Sequence, residues 1–472
     1  MAAEKRTVVH WFRRDLRIAD NTSLHAASKT GLPVIPVYFL SQWRGVHHWT
    51  GPKRQHFLCE NLRSLERNLK TIDGRLIVRG EDPVEGLERL IRTHQVAAVH
   101  FNQDPDPFGK ATELKIRDLC DRLGIECHGH HDATLHSPGE VLTQGAQPYR
   151  VYTPYSRNWL SQAKSTPRPK ASTLATPADI VSEPLPSVSH WGWETPHCHL
   201  VEPGERAARE RLKHAIAHKV RDYAAKRDFP SLDGTSRISQ DLRFGLISIR
   251  TVYAEAMKAH SSADEAGRKG IETFIKELAW REFYFAILHF YPEVLDHEFN
   301  PEWRGLPWDE PGANFEAWKQ GRTGFPIVDA GMRELLETGH MHNRVRMITA
   351  MFLTKDLHID WKLGESFFIQ HLIDGEIASN NGGWQWSAGT GADAAPYFRI
   401  QNPWSQTLRY DPEGVYIKRW VPELKNVHPS RFLEAPKDGK ALTPDYPLPC
   451  VNHHEERDRT LAIFKRHKER SL

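Results

Sequence analysis

The segment IKELAWREFY (Ile275–Tyr284) places Glu277, Trp280 and Tyr284 at intervals of three and four residues. On a helix that spacing puts one acid and two aromatic rings on a single face, a surface better suited to holding a flat heteroaromatic group than to routine packing. Further on, HNRVRM sets Asn343 and Met347 one helical turn apart, with Arg344 and Arg346 expected to point elsewhere. DGTSRIS (Asp233–Ser239) joins a glycine to three hydroxyl residues just before a helical pattern. Such a turn can cradle phosphate through N–H and O–H groups, or can simply cap the next helix. The fourth stretch, DGEIASNNGGWQWSAGTGADAAPYFR (Asp374–Arg399), follows two asparagines with two glycines and then Trp384 and Trp386. Glycines admit a close backbone approach, and the tryptophans supply π surface. The segment reads either as a cradle for a flat redox cofactor or as a glycine loop with core tryptophans.

The elements that must position these residues fall into two patterns. TVVHWF (Thr7–Phe12), Pro33–Leu40, Arg75–Val78 and Ala97–Phe101 are short β-branched and aromatic runs, hence strands. Helical patterns over Asn21–Ser28, Lys53–Lys70, Pro83–His94 and Lys110–Leu123 alternate with them, which predicts a doubly wound parallel α/β domain over residues 1–134. No GxGxxG follows the first strand, so a dinucleotide fingerprint is absent. In its place stands WFRRDLRIADN, whose Arg13, Arg14, Asp15 and Arg17 form either a ligand clamp or, the preferred reading, an ion-pair network. Residues 135–203 read as a linker, with a Pro/Ser/Thr-rich run over Ser161–Leu200 that should pass over the surface and wrap one domain. From residue 204 to 472 the patterns are all helical: Glu205–Arg227, Ile271–Tyr291, Ala330–Leu335, Arg344–Leu357, Gly364–Ile373 and Glu455–His467.

Composition narrows the class. A chain of 472 residues with 39% hydrophobic content supports two or three domains. No apolar run reaches the roughly 18 residues of a membrane span, and the first residues carry no secretory h-region. Five scattered cysteines without a CxxC pair suit a reducing cytoplasm. His128, His130, His131, His453 and His454 show no metal-ligand spacing and read as solvated. A net charge of +3 means that any nucleic-acid surface is local. Fifteen tryptophans, many of them between Trp280 and Trp420, direct attention to aromatic chemistry in the C-terminal half.

WFRRDLRIADN, DGTSRIS, ELAWREFY, TGFPIVDAGMRELLETGHMHNRVRM and DGEIASNNGGWQWSAGTGADAAPYFRI together resemble the DNA photolyase/cryptochrome family over nearly the whole chain. The resemblance implies an α/β antenna domain, a long linker and a helical FAD domain. Asn343, Met347 and Asn380 resemble the choices of class I cyclobutane pyrimidine dimer photolyases rather than those of animal or plant cryptochromes. The implied activity is light-driven repair of UV-damaged DNA, with reduced FAD donating an electron to a flipped-out dimer. By the same resemblance Tyr223, Thr235, Ser236, Arg237, Ile238, Ser239, Arg346, Asp374, Gly375 and Glu376 hold FAD, and Asn380 faces its N5. Trp280 and Trp386 wall the lesion, Glu277 and Asn343 hydrogen-bond it, and Met347 packs on it, with Glu277 most useful if protonated. Trp384, Trp361 and Trp308 resemble an electron relay from flavin to solvent. DNA would be met by Arg227, Glu277, Trp280, Arg281, Tyr284, Asn343, Arg344 and Gln406.

Where folate-binding relatives carry an Asn–Glu pair, this chain has Phe108 and Gly109 in DPFG. A second chromophore of deazaflavin or flavin type is therefore expected rather than folate. A monomer in the cytoplasm, of bacterial type and associated with the nucleoid, completes the expectation. A blue-light photoreceptor of cryptochrome type, a DASH-type single-strand photolyase and a generic flavoprotein oxidoreductase are the alternatives.

Overall fold

The computed structural model describes residues 6–437 and 439–470. The first five residues, read above as no secretory signal, lie outside them. The N-terminal part runs β1 (Thr7–Phe12), α1 (Thr22–Ser28), β2 (Val34–Phe39), α2 (Pro52–Lys70), β3 (Ile77–Arg79), α3 (Pro83–Thr93), β4 (Val96–Asn102), α4 (Pro107–Leu123) and β5 (Glu126–His130). The strands form one five-stranded sheet in the order β3-β2-β1-β4-β5, and every pairing is parallel. Central β1 is buried along its whole length, as expected of a strand covered on both faces by crossover helices. The strand order reverses between β1 and β4, which makes the carboxyl ends of those two strands the topological switch point.

β5 escaped the sequence reading because ECHGH alternates weakly and is only half-buried. Its histidines also correct an expectation. His100, His128 and His130 stack face to face across β4 and β5, with ring centroids 4.7 and 5.6 Å apart. Burial pulls His100 down to about 3 and His130 to about 4. His130 is thus packed in a ladder rather than solvated, while His128 caps the stack with a side chain 42% exposed beside Glu126. His453 is likewise buried, 2.5 Å from Asp356. Among the described residues no cluster of His, Cys, Asp and Glu is arranged to hold a metal ion.

The Pro/Ser/Thr-rich segment is exposed over much of its course, but it also covers the sheet edge. Val34 N–H donates to the Leu174 carbonyl at 2.8 Å. Val78 N–H donates to Ser182 Oγ at 2.9 Å, and Glu183 N–H returns to the Val78 carbonyl. The segment thereby satisfies backbone groups that an open β3 edge would expose. Upstream of it, α5 (Tyr152–Ser161) interrupts what read as linker.

Helices then dominate: α6 (Glu205–His218), α7 (Tyr223–Lys226), α8 (Ser239–Arg243), α9 (Ile249–Ser261), α10 (Glu265–Phe290), α11 (Ala313–Gln320), α12 (Pro326–Thr338), α13 (Asn343–Lys355), α14 (Trp361–His371), α15 (Ile377–Ala388), α16 (Pro403–Tyr410), α17 (Val415–Trp420) and α18 (His453–Arg470). The single helix expected over Glu205–Arg227 breaks at Lys219, where a 3-10 turn at Val220–Asp222 leads into α7. No helix is long and apolar enough to cross a membrane among the described residues.

Candidate functional site

The glycine–tryptophan stretch is a helix rather than a loop. α15 begins after Glu376 and ends at Gly389, whose φ of +82° closes a left-handed C-cap. Lys355 reaches from α13 to donate to the Ala388 carbonyl at 2.6 Å, satisfying one of the last carbonyls of the helix. Helical geometry sets residues two apart about 200° from each other around the axis, so Trp384 and Trp386 face opposite ways. Trp384 is buried, and Trp386 is half-buried at the surface of the helix.

The two central glycines have different reasons to be there. A Cβ on Gly382 would lie 2.1 Å from the Tyr284 ring, so this glycine lets α15 press onto α10. A Cβ on Gly383 would meet nothing within 4 Å. That bare position has Asn380 one turn before it and Trp386 one turn after it on the same face. The Asn380 side-chain N–H donates to the Glu365 carbonyl at 3.1 Å, which leaves its carbonyl oxygen available as an acceptor.

Three of the expected cofactor segments converge beside this helix. Asp374 accepts from Ser239 Oγ at 2.7 Å and from the Arg346 guanidinium at 2.9 Å. Burial works against its charge, but Arg346 outweighs it and holds the carboxyl below the usual range. Arg237 adopts φ +57°, an αL conformation uncommon outside glycine and often found where backbone groups must be presented. Its guanidinium approaches Glu334 at 3.8 Å. Ile238 is buried, Thr235 and Ser236 are half-buried, and Tyr223 meets Phe274 edge to face at 5.6 Å. A Cβ on Gly375 would strike the Arg54 guanidinium. Glu376 pairs with Arg14 and keeps Oε1 buried without a protein partner. The buried Trp384 Nε1 likewise has none. The convergent hydroxyls, the bare Gly383 and these unpartnered polar atoms fit a large polar and aromatic group such as FAD.

The expected relay residues occupy connected positions. Gly364 on α14 is where the Trp384 indole rests, since a Cβ there would lie 2.1 Å from the ring. Trp361 stands one turn earlier on that same face, fully buried, with Nε1 donating to Glu298 at 3.1 Å. Trp308 is half-buried and packs against both the Trp361 cluster and the cluster of Trp303 and Phe464. Sequence reasoning passed over Trp318, whose ring lies 6.1 Å from Trp384 in an edge contact.

Glu277, Trp280 and Tyr284 share one face of α10 as their spacing predicts. Glu277 is ion-paired with Arg227. Burial raises the Glu277 carboxyl, and Arg227 opposes that rise, so the acid is paired here rather than isolated as a neutral group. Asn343 Nδ2 lies 3.9 Å from Met347 Sδ. Arg344 does not point elsewhere: Nη1 stands 3.7 Å from the same sulfur, and Nη2 pairs with Asp228 at 2.8 Å. Arg281, expected among the phosphate contacts, also has partners within the protein. It turns inward to donate to the Ala133 carbonyl at 2.8 Å, and burial pulls it down to about 10. Gln406 is half-buried on α16.

The switch point of the sheet is closed. Arg13 pairs with Glu113 and Asp104, while Arg14 pairs with Asp104, Asp106 and Glu376, which leaves a cavity of about 10 Å³. This is the network reading of WFRRD, with one strut reaching the helical half. A cleft of about 390 Å³ lies elsewhere, between Val46–Lys53, Trp193 and His371. Phe108 is exposed near Trp49, and Gly109 leaves no room for a side chain beside Asp104 and Arg13.

The chain is similar to known proteins in sequence and in fold. A family model described as DNA photolyase matches residues 8–175, and one described as the FAD binding domain of DNA photolyase matches residues 274–466. A deoxyribodipyrimidine photo-lyase of Synechococcus is 39% identical over 98% of this chain and 97% of its own length. The crystal structure of a bacterial class III photolyase from Agrobacterium tumefaciens superposes with a TM-score of 0.91, at 35% identity over 99% of each chain. An archaeal photolyase from Sulfolobus tokodaii, solved with two FAD molecules, superposes at 0.83, with 32% identity over 98% of this chain and all of its own. With both halves matched in sequence and in fold, the chain belongs to the DNA photolyase family.

Proposed function

We propose that this chain is a deoxyribodipyrimidine photo-lyase of class I type, which splits cyclobutane pyrimidine dimers in DNA under light. The observation that carries the reading is the bare Gly383 on α15, on one helical face with Asn380 a turn before it and the half-buried Trp386 a turn after it. A cofactor edge and a flipped base can meet there without a side chain between them. Bound there in its reduced form, FAD would supply the light-driven one-electron chemistry that opens a cyclobutane ring.

The chain's own residues bind, orient and exclude water. Ser239, Arg346 and Asp374 anchor one end of the cofactor site, with Tyr223, Thr235, Ser236, Arg237, Ile238, Gly375 and Glu376 around it. Trp280 and Trp386 stack against the extruded dimer, each such contact contributing roughly 1–3 kcal/mol per base. Glu277 holds a proton or a hydrogen bond at the dimer carbonyls once Arg227 is drawn to a phosphate. Asn343 donates to the lesion, Met347 packs on it, and Tyr284, Arg344 and Gln406 border the duplex. Phosphate contacts place the DNA without reading its sequence. Trp384, Trp361 and Trp308 pass electrons inward when the flavin is oxidised. One chain carries both the cofactor site and the lesion wall, so a cytoplasmic, nucleoid-associated monomer suffices. For domain limits we take residues 1–134, 135–203 and 204–472. A flavin- or deazaflavin-type second chromophore is favoured by Phe108 and Gly109, and the two FAD molecules of the archaeal relative show that a photolyase fold can hold a second flavin.

Reduced protein illuminated with blue light removes dimers from a damaged duplex; persistence of the dimers with dark binding intact would favour a photoreceptor instead. Preference for single-stranded over duplex lesions would move the chain to the DASH group. Trp384→Phe blocks photoreduction of oxidised flavin, measured by absorbance, and spares repair by chemically reduced enzyme.

A further inference from the structure

Tyr152 belongs to α5, in the stretch that reads as linker, yet its ring lies on the Trp280 indole with centroids 3.6 Å apart and planes within 8°. Three other contacts hold it there. Its hydroxyl donates to the Lys276 carbonyl on α10 at 2.7 Å, one turn before Trp280. Phe283 meets the ring edge-on at 5.9 Å. The Asp393 carboxylate, in the loop after α15, faces the Tyr152 backbone N–H. Tyr152 is buried, whereas Trp280 is half-buried and leans on Tyr284 at 5.6 Å. One π-face of the indole is therefore already occupied, and a base can use only its remaining face or its edge.

We propose that Tyr152 is a positioning residue for lesion recognition: it backs the Trp280 indole and fixes the plane that this ring offers to an extruded pyrimidine. The proposal rests on the reading of Trp280 as part of the lesion wall. A solitary half-buried tryptophan samples several rotamers and must be ordered when a ligand binds, at a cost in affinity. A parallel partner that is itself buried and held edge-on by Phe283 removes that freedom beforehand. The stack also ties the N-terminal side of the chain to the lesion face, because α5 meets α10 at this point.

The test uses the full-length FAD-loaded protein and duplex oligonucleotides with and without one cyclobutane dimer, bound in the dark. Tyr152→Leu removes the flat ring, Tyr152→Phe keeps it, and Trp280→Leu removes the wall. Aromatic pairs of this kind contribute about 0.5–1.5 kcal/mol, so Tyr152→Leu should bind the dimer roughly three- to tenfold more weakly. Affinity for undamaged duplex and FAD content by absorbance should stay near wild type. Tyr152→Phe should discriminate as wild type does. Should Tyr152→Leu lower FAD content, Tyr152→Met, which fills similar volume without a flat face, is read in its place. Undiminished discrimination in the Leu or Met variant overturns the proposal, as does equal damage from Phe. If Trp280→Leu loses discrimination while Tyr152→Leu keeps it, only the role of Tyr152 falls. If Trp280→Leu also keeps it, the reading of the wall falls too.

Discussion

Two arginine–carboxylate networks in this molecule use the same chemistry for opposite ends. One joins Arg17, Asp20, Asp132 and Arg250, all at most 4% exposed. Arg17 meets Asp132 at 2.5 Å, and Arg250 bridges Asp132 at 2.6 Å and Asp20 at 3.0 Å. Thr22 and Thr251 fill remaining acceptor sites. The other joins Arg227 to Glu277 and Arg344 to Asp228 on the face proposed to meet the lesion, where Arg227 and Glu277 are each 32% exposed. In the first network every charge is sealed and multiply satisfied, so its members cannot change partners. In the second, solvent or a DNA phosphate can replace one partner at small cost. An ion pair's role thus follows from whether its charges can exchange, not from the residue types.

Breaking the sealed network should have the largest effect. Arg250→Ala leaves Asp20 and Asp132 short of a buried partner and should cost about 3–5 kcal/mol in denaturant unfolding at neutral pH. The pH dependence sharpens this. Burial opposes the charge on Asp132, but Arg17 and Arg250 outweigh it and hold its carboxyl well below the usual range. A depressed native value stabilises the fold above the unfolded carboxyl value of about 4, and that stability is lost as pH falls below it toward the native value. Unfolding curves at pH 7 and pH 3 should show the wild type losing this margin and Arg250→Ala losing less of it.

On the open network, Glu277→Gln should change stability by less than about 1 kcal/mol, while affinity for dimer-containing duplex falls roughly tenfold. The sign of its titration is reversed. Burial raises the Glu277 carboxyl against the pull of Arg227, so its contribution to stability is present below the unfolded value and fades as pH rises through the native one. A stability loss from Glu277→Gln as large as that from Arg250→Ala would erase the distinction. The smallest effect is expected at Arg344. Arg344→Ala should lower the slope of log affinity against log salt by about 1 and weaken damaged and undamaged DNA alike.

Much of the architecture was legible residue by residue. TVVHWF became β1 at its expected limits, and the alternation after it is a parallel sheet. β5 was missed because ECHGH has neither the apolar run of a central strand nor the alternation of a surface one. α5 was missed because neighbouring prolines and serines masked Tyr152, Tyr155 and Trp159, whose spacing of three and four residues is a helix signal and whose side chains are all buried. Asp374–Arg399 was read for its glycines, yet at Gly382 and Gly383 the helix tolerates them because packing on Tyr284 and an open gap take the place of side chains. The direction of Arg281 was not legible, because a cation beside a recognition motif can point either way along a helix, and the Ala133 carbonyl and Glu376 orient it here.

By itself the sequence determined which chemistry is present: an acid with two aromatics on one helical face, a hydroxyl-rich turn, and paired asparagines, glycines and tryptophans. These depend on local spacing, which the backbone's fixed periods translate directly into faces. Only the tertiary structure decided which tryptophan is sealed and which is offered, that Glu277 is held by Arg227, and that a tyrosine more than a hundred residues away in the chain backs Trp280. Those outcomes depend on contacts between distant segments, where burial and the competition for partners choose among arrangements that local spacing leaves equally open.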